Sequence, residues 1–225
     1  MNQQHTDQAY EEELEAVRAN VLAVGEKVGR MISSSMNALV ASNKELARRV
    51  IALDDDVNRL EIATDERCLQ ILARRHPVAS DLRFITTAMK MVTDLERIGD
   101  MAVDVSKQTL ELVTDGLEGP VGMLSDMAEV AQTMLGEALA AFITRDARAA
   151  QRVIERDTTI DALYDQLQHR LIGIMATEPR TLRSGTRLLS VAKYLERVGD
   201  HVTNLAEMVI FMAEGRDIRH SGVAE

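Results

Sequence analysis

Tryptophan is absent from this chain, cysteine occurs once and proline three times in 225 residues, and aromatic residues make up only 3% of it. The lone Cys68 cannot close an internal disulfide, and one thiol cannot furnish a zinc site of cysteine and histidine. No apolar run approaches the roughly 20 residues of a membrane span. The N-terminal Met1–His5 segment is polar and lacks the apolar stretch of a signal peptide. These features predict a cytoplasmic protein with no direct membrane insertion. Basic residues are outnumbered 26 to 36, for a formal net charge of −10, and no basic block with interleaved aromatics occurs. Nucleic acid is therefore excluded as a partner. There is no phosphate-cradling Gly-x-x-x-x-Gly-Lys loop, no nucleophile elbow and no dinucleotide fingerprint. None of the five histidines (His5, His76, His169, His201, His220) has a glutamate three residues before it, which excludes the Glu-x-x-His ligand set of ferritin-like bundles.

What remains is rich in Ala, Leu, Met, Glu, Arg and Asp, with apolar residues recurring at three-and-four spacing. That pattern predicts an all-α protein of long helices. The first helix covers about 7–41, with Leu14, Val17, Val21, Val24, Val28, Ile32 and Leu39 in register, and Asn43 breaks and caps it. A second runs over 44–75 along the seam Leu46, Val50, Leu53, Val57, Leu60, and His76-Pro77 ends it. A third covers 80–115. The run Asp115-Gly116-Leu117-Glu118-Gly119-Pro120-Val121-Gly122 punctuates the chain most strongly. A fourth helix then reaches 144, Arg145-Asp146 turns, a fifth covers 147–176, Glu178-Pro179 breaks it, and a sixth runs to 214. The halves match element by element. Two tandem three-helix bundles, 1–116 and 120–215, follow in an elongated molecule with a tail over 216–225. The halves are expected to depend on one another less than solenoid units do. The methionines and Cys68 fall in register and fill core.

One hexapeptide is written twice: Leu95-Glu96-Arg97-Ile98-Gly99-Asp100 returns as Leu195-Glu196-Arg197-Val198-Gly199-Asp200. With Asp104 and Asn204 one turn further on, Glu96, Asp100, Asp104 and Glu196, Asp200, Asn204 each form an i, i+4, i+8 stripe. The second helix carries another such wall in Asp54, Asn58, Glu61 and Asp65, and the fifth carries Asp157, Asp161 and Asp165. Like charges at i, i+4 oppose a helix by roughly 0.2–0.5 kcal/mol per pair, so each stripe asks for a counter-charge. Two readings meet that demand. Paired oxygen-only stripes suit a hard or borderline cation. Alternatively the stripes are solvated faces, with Arg97 and Arg197 pairing to Asp94, Asp100 or Asp200. Spacing leaves both open, and duplication of the whole hexapeptide favours a site. Gly99, within a helix, costs about 1 kcal/mol relative to Ala. It therefore implies close approach of a neighbouring backbone or of an ion.

At these residues the sequence resembles the PhoU family, regulators of phosphate transport. The likeness spans nearly the whole chain. It includes both hexapeptides, Asp54-Asp55-Asp56-Val57-Asn58, Pro77-Val78-Ala79-Ser80-Asp81-Leu82-Arg83 and Glu178-Pro179-Arg180-Thr181. The resemblance implies a duplicated three-helix bundle, self-association as a homodimer, and metal held on Glu/Asp-x-x-x-Asp motifs, here Glu96, Asp100 and Asp104 and again Glu196 and Asp200. The ion is a divalent or trivalent metal such as Fe, Mn, Mg or Zn. Asn204 departs from the pattern and lowers the charge of its site. The resemblance further implies a non-enzymatic adaptor between the ATPase of a phosphate ABC transporter and a phosphate-sensing histidine kinase. In that role it is a negative regulator of phosphate uptake and of the starvation response. Two rivals stand beside that reading: a metal-dependent enzyme using the same carboxylates, and a purely structural helical adaptor without metal.

Overall fold

The computed structural model describes residues 2–115 and 119–218, and every regular element among them is a helix. In chain order these are α1 (Asn2–Val40), α2 (Lys44–Ala52), α3 (Asp54–Arg74), α4 (Ala79–Asp115), α5 (Val121–Thr144), α6 (Ala147–Thr177) and α7 (Leu182–Glu214). A 3₁₀ turn, Pro179–Thr181, precedes α7. Residues 116–118 of the expected boundary, and the expected tail from 219 on, lie outside the described residues.

The helix ends follow from local chemistry. Ser42 adopts a left-handed φ of 50°, and the Asn43 side chain then accepts the Leu46 N–H at 3.0 Å to cap α2. The second half repeats this with Arg145 at φ 53° and Asp146, whose carboxylate accepts the Arg148 and Ala149 N–H groups at 2.9 and 3.0 Å. α7 closes on Gly215, left-handed at φ 72°. The helix expected over 44–75 is interrupted once, at Leu53, whose N–H bonds back three residues to Val50 O at 3.0 Å. Asp54, Asp55 and Asp56 follow at once. A fresh N-terminus there places three carboxylates where the helix dipole favours anions. Lys27 on α1 also reaches Asp56 at 2.8 Å.

α4 and α7 are the shared axis: they pack on each other, with α1, α2 and α3 against α4, and α5 and α6 against α7. α4 and α7 run in opposite directions, since Arg83 near the start of α4 donates to Met212 O near the end of α7 at 3.5 Å. α1, 39 residues and so about 58 Å long, reaches across to α5. The expected independence of the halves is not what the packing shows. Buried residues of both halves form one continuous apolar core, from Leu14 and Val17 on α1 to Val209 and Ile210 on α7. The rings of Phe84 on α4 and Phe142 on α5 stack with centroids 5.9 Å apart, and Arg18 and Arg145 lie over Phe84 at 5.3 and 5.9 Å. Such a ring pair contributes about 0.5–1.5 kcal/mol beyond its buried area.

Candidate functional site

The first hexapeptide sits on α4 where α3 packs against it. Val57 of α3, fully buried, lies against Gly99, so the polar residues beside Val57 and beside Gly99 flank one seam. Asp54, Asn58 and Glu61 of α3 meet Glu96 and Asp100 of α4 there. Burial raises the Glu96 carboxyl above its usual range, with Asp100, Glu61 and Asp54 adding to the effect. Burial likewise raises Asp100, helped by Asp54 and Asp104 and opposed by Arg97 and Lys107. Asp65, two turns further along α3 from Asn58, is raised by burial. The shifts of Glu96 and Asp100 mark carboxylates crowded together, whereas that of Asp65 comes from burial alone. Oδ1 of Asp54, Oδ1 of Asn58 and Oδ1 of Asp65 are buried without any hydrogen-bond partner. The other polar contacts are few. Asn58 Nδ2 donates to Asp54 Oδ2 at 3.3 Å, and the Thr93 hydroxyl donates to Glu61 at 3.1 Å. Asp104 stands at the edge, paired with Lys107 at 3.0 Å. Arg97 pairs not with an aspartate, as its spacing suggested, but with Glu96, and only at 3.9 Å.

The second seam joins α6 to α7. Burial drives Asp157 up to about 6, with Asp161, Asp200 and Glu196 adding. Asp200 is raised by burial, then by Glu196 and Asp161, against Lys193 and His201. Asp157, Asp161, Glu196 and Asp200 therefore form a second cluster. Lys193 enters it, its Nζ 2.6 Å from both oxygens of Glu196 and 5.5 Å above the Tyr164 ring. The hydrogen bond to Glu196 holds the Lys193 ammonium charged to higher pH than usual.

Two predicted ligands are not brought into this cluster. Asp165 is exposed. The buried Ile160, Leu167 and Leu171 of α6 stand 103 positions after Val57, Thr64 and Cys68 of α3, whereas the hexapeptides stand 100 apart. On that register Asp157 matches Asp54, Asp161 matches Asn58 and Tyr164 matches Glu61, while Asp165 falls opposite exposed Ile62. Asn204 turns the other way: its Nδ2 donates to Asp94 of α4 at 3.4 Å, beside His201, whose Nδ1 lies 2.7 Å from the same oxygen. It braces α7 against α4. The glycines differ as well. A Cβ on Gly99 would meet only side chains, the nearest 3.6 Å away, so no close backbone approach explains it. On Gly199 a Cβ would stand 2.8 Å from Asp157 Oδ1 and 3.0 Å from Ile160 Cδ1, so the bare helix surface there admits the carboxylate.

Sequence reasoning missed Asp94 as a brace, and missed Lys193 and Tyr164 altogether. Superposing the repeats on the α3 and α6 register would have found the last two, as Thr93 and Glu61 exchanged for Lys193 and Tyr164. Among the described residues no three acidic, histidine or cysteine side chains already converge as ligands of one ion. The donor chemistry nonetheless fits a hard cation. The first cluster is all oxygen, and its orphaned Asp54 and Asn58 oxygens lack any donor to satisfy them. Side-chain rotation would be needed to close Asp54, Glu96 and Asp100 on such an ion. Three clefts elsewhere, of about 410, 380 and 590 Å³, are lined by residues outside both clusters.

Comparison with known proteins agrees with this duplicated plan. The PhoU domain matches the chain twice, over residues 21–109 and 124–209. The phosphate-specific transport system accessory protein PhoU homolog of Pseudomonas aeruginosa is 39% identical over 221 residues, 97% of this chain and 91% of the relative. The crystal structure of PhoU from Pseudomonas aeruginosa aligns with a TM-score of 0.89 at 38% identity, covering 92% of this chain and all of the other. That of the phosphate transport system regulatory protein PhoU from Streptococcus pneumoniae aligns at 0.87 and 30% identity, covering 93% and 99%. With both repeats matched and relatives spanning nearly its full length, the chain belongs to the PhoU family.

Proposed function

We propose that this protein is a non-catalytic accessory regulator of phosphate-specific transport. It acts in the cytoplasm as an adaptor between the transporter's ATPase and a phosphate-sensing histidine kinase, holding uptake and the starvation response down when phosphate is plentiful. The observation that carries this reading is the match over 97% of the chain to an accessory protein of the phosphate-specific transport system. The clefts lie away from the clusters, which suits contact along helical faces better than turnover. Among the described residues no helix is long and apolar enough to cross a membrane, so partners in a transporter would be met from one side. Self-association as a homodimer belongs to the same reading.

Within it, Asp54, Glu61, Glu96 and Asp100, with the Asn58 amide oxygen, would hold a divalent or trivalent metal. Asp157, Asp161, Glu196 and Asp200 form the second candidate set. A bound cation would neutralise carboxylates that now repel and so draw α3 to α4. The experiment is deletion of the coding sequence, with phosphate uptake and a starvation-promoter reporter measured in high phosphate, together with co-purification of the ATPase and kinase from membranes. Derepressed reporter activity and specific capture of both partners are expected. An unchanged reporter and uptake in the deletion strain would defeat the proposal.

A further inference from the structure

The cleft of about 590 Å³ lies where α7 begins and α4 ends, away from both carboxylate seams. Its charge runs against that of the molecule. In a chain of net charge −10, its described lining holds three arginines, Arg180, Arg183 and Arg187, and no carboxylate. Arg183, Thr186, Arg187 and Ser190 stand at i, i+3, i+4 and i+7 and so share one face of α7, while Arg180 sits on the 3₁₀ turn at its foot. α4 supplies the facing wall. Half-buried Arg187 donates to Gln108 Oε1 at 3.3 Å and to Glu111 Oε2 at 3.1 Å, which fixes its guanidinium across the two helices. Arg180 pairs with Glu178 at 3.1 Å, but both side chains are mostly exposed and such a pair exchanges readily. The other end of the molecule has no equivalent. On the hexapeptide register the places of Arg180 and Arg187 there are Ser80 and the buried Thr87, and Arg83 donates to Met212 O.

We propose that this cleft is the docking site for an acidic peptide segment of a partner protein, one that brings carboxylates and an apolar side chain together. Three properties of the lining select that occupant. Guanidinium groups pair with carboxylates through parallel N–H donors, and the first turn of α7 adds the positive end of a 33-residue helix. Leu182, 59% exposed at the start of α7, offers an apolar contact beside the arginines, with Pro179 next to it. The hydroxyls of Thr186 and Ser190 donate to Leu182 O at 2.7 Å and Thr186 O at 3.2 Å, which leaves their oxygens to accept from peptide N–H groups. A bare oxyanion has no use for those acceptors or for Leu182. The volume agrees, since a cleft of this size holds a ligand of several residues and far exceeds what a single ion fills. An incoming carboxylate replaces Glu178 at Arg180, while Arg187 stays anchored to α4. The site is independent of any metal on the carboxylate seams.

The test uses the full chain and a set of fluorescein-labelled hexapeptides, each carrying three acidic residues and one leucine in varied order, with binding read by fluorescence anisotropy at about 50 mM salt. Matched sets replace the acids by lysine or the leucine by serine. Acidic peptides are expected to bind, and to bind more weakly as salt rises to about 0.5 M, while the lysine set does not bind. Arg183→Glu, at an exposed position, is expected to weaken binding by about tenfold or more. Leu182→Ser in the protein, or serine for leucine in the peptide, is expected to weaken it several-fold. Arg148→Glu makes the same charge reversal at an exposed position near the start of α6 and is expected to leave affinity unchanged. Arg183→Ala serves where the reversal disturbs the fold, which circular dichroism checks. Three outcomes each overturn the proposal: no acidic peptide bound at low salt, lysine peptides bound as well, or acidic peptides bound equally by both Arg183 variants. Displacement of the acidic peptides by an equal concentration of inorganic phosphate would reveal a small-anion site and likewise overturns the peptide occupant.

Discussion

Removing the charge of Asp157 should make the metal-free protein more stable, not less. Asp157 sits in the α6–α7 seam with its carboxyl raised from 3.8 to about 6, first by burial and then by Asp161, Asp200 and Glu196. A folded value above the unfolded one means that the fold prefers the neutral acid. That contribution is fully present below about pH 4 and is lost as pH rises through about 6. The whole difference would correspond to roughly 3 kcal/mol. Asp157 is only partly buried, however, and solvent screening reduces this to about 1 kcal/mol. Asp157→Asn keeps the shape and cannot ionise. In chelator at pH 7.5 it should gain about 1 kcal/mol over the parent, or about 2–4 °C in Tm for a chain of this length. The gain should vanish near pH 4, where the parent carboxyl is protonated. Thermal unfolding followed by circular dichroism from pH 4 to pH 8 measures both ends of the curve. A variant less stable than the parent at pH 7.5, or a difference that does not change with pH, would refute the account of a cluster short of counter-charge.

The two motif glycines should respond in opposite directions. Gly99→Ala meets only ordinary contacts at 3.6 Å and recovers helix propensity, so a gain of up to about 1 kcal/mol is expected. Gly199→Ala drives a methyl to 2.8 Å from the Asp157 carboxylate and 3.0 Å from Ile160, so a loss of about 1 kcal/mol is expected, and urea denaturation distinguishes the signs. Asn204→Asp restores the residue of the first repeat, yet it should lower stability by about 1 kcal/mol because the new carboxylate faces Asp94 across the 3.4 Å contact. It should leave Mn²⁺ binding at the second cluster unchanged, and tighter binding in that variant would show that the side chain turns back toward α6.

Much of the architecture could be read from residue order because its signals are local. Asn43, Arg145-Asp146, Pro77 and Pro179 end helices by capping or by steric exclusion, effects confined to a few residues. The duplicated hexapeptide likewise announced its own helical stripe. What escaped depends on partners far along the chain. Leu53 continues an apolar seam, and the advantage of starting afresh at Asp54 shows only once Lys27 is seen to hold Asp56. Asp165 satisfies i, i+4, i+8 on α6, but the register of α6 on α7 is set by Ile160, Leu167 and Leu171, which send Asp165 outward. Asn204 completes its own stripe on paper and is drawn off it by Asp94, 110 residues away. Helical spacing fixes which residues share a face, and only packing decides what that face meets.

The stacked rings of Phe84 and Phe142, one from each repeat, bear on how this duplicated chain can evolve. The Phe84 ring needs an apolar partner to be buried. Here that partner is supplied within the chain, with Arg18 and Arg145 closing over Phe84. The arrangement is lopsided, because the place of Phe84 in the second repeat is held by Ser184. A change at either ring is therefore felt by both halves, so the two repeats are tied at this contact while they differ elsewhere.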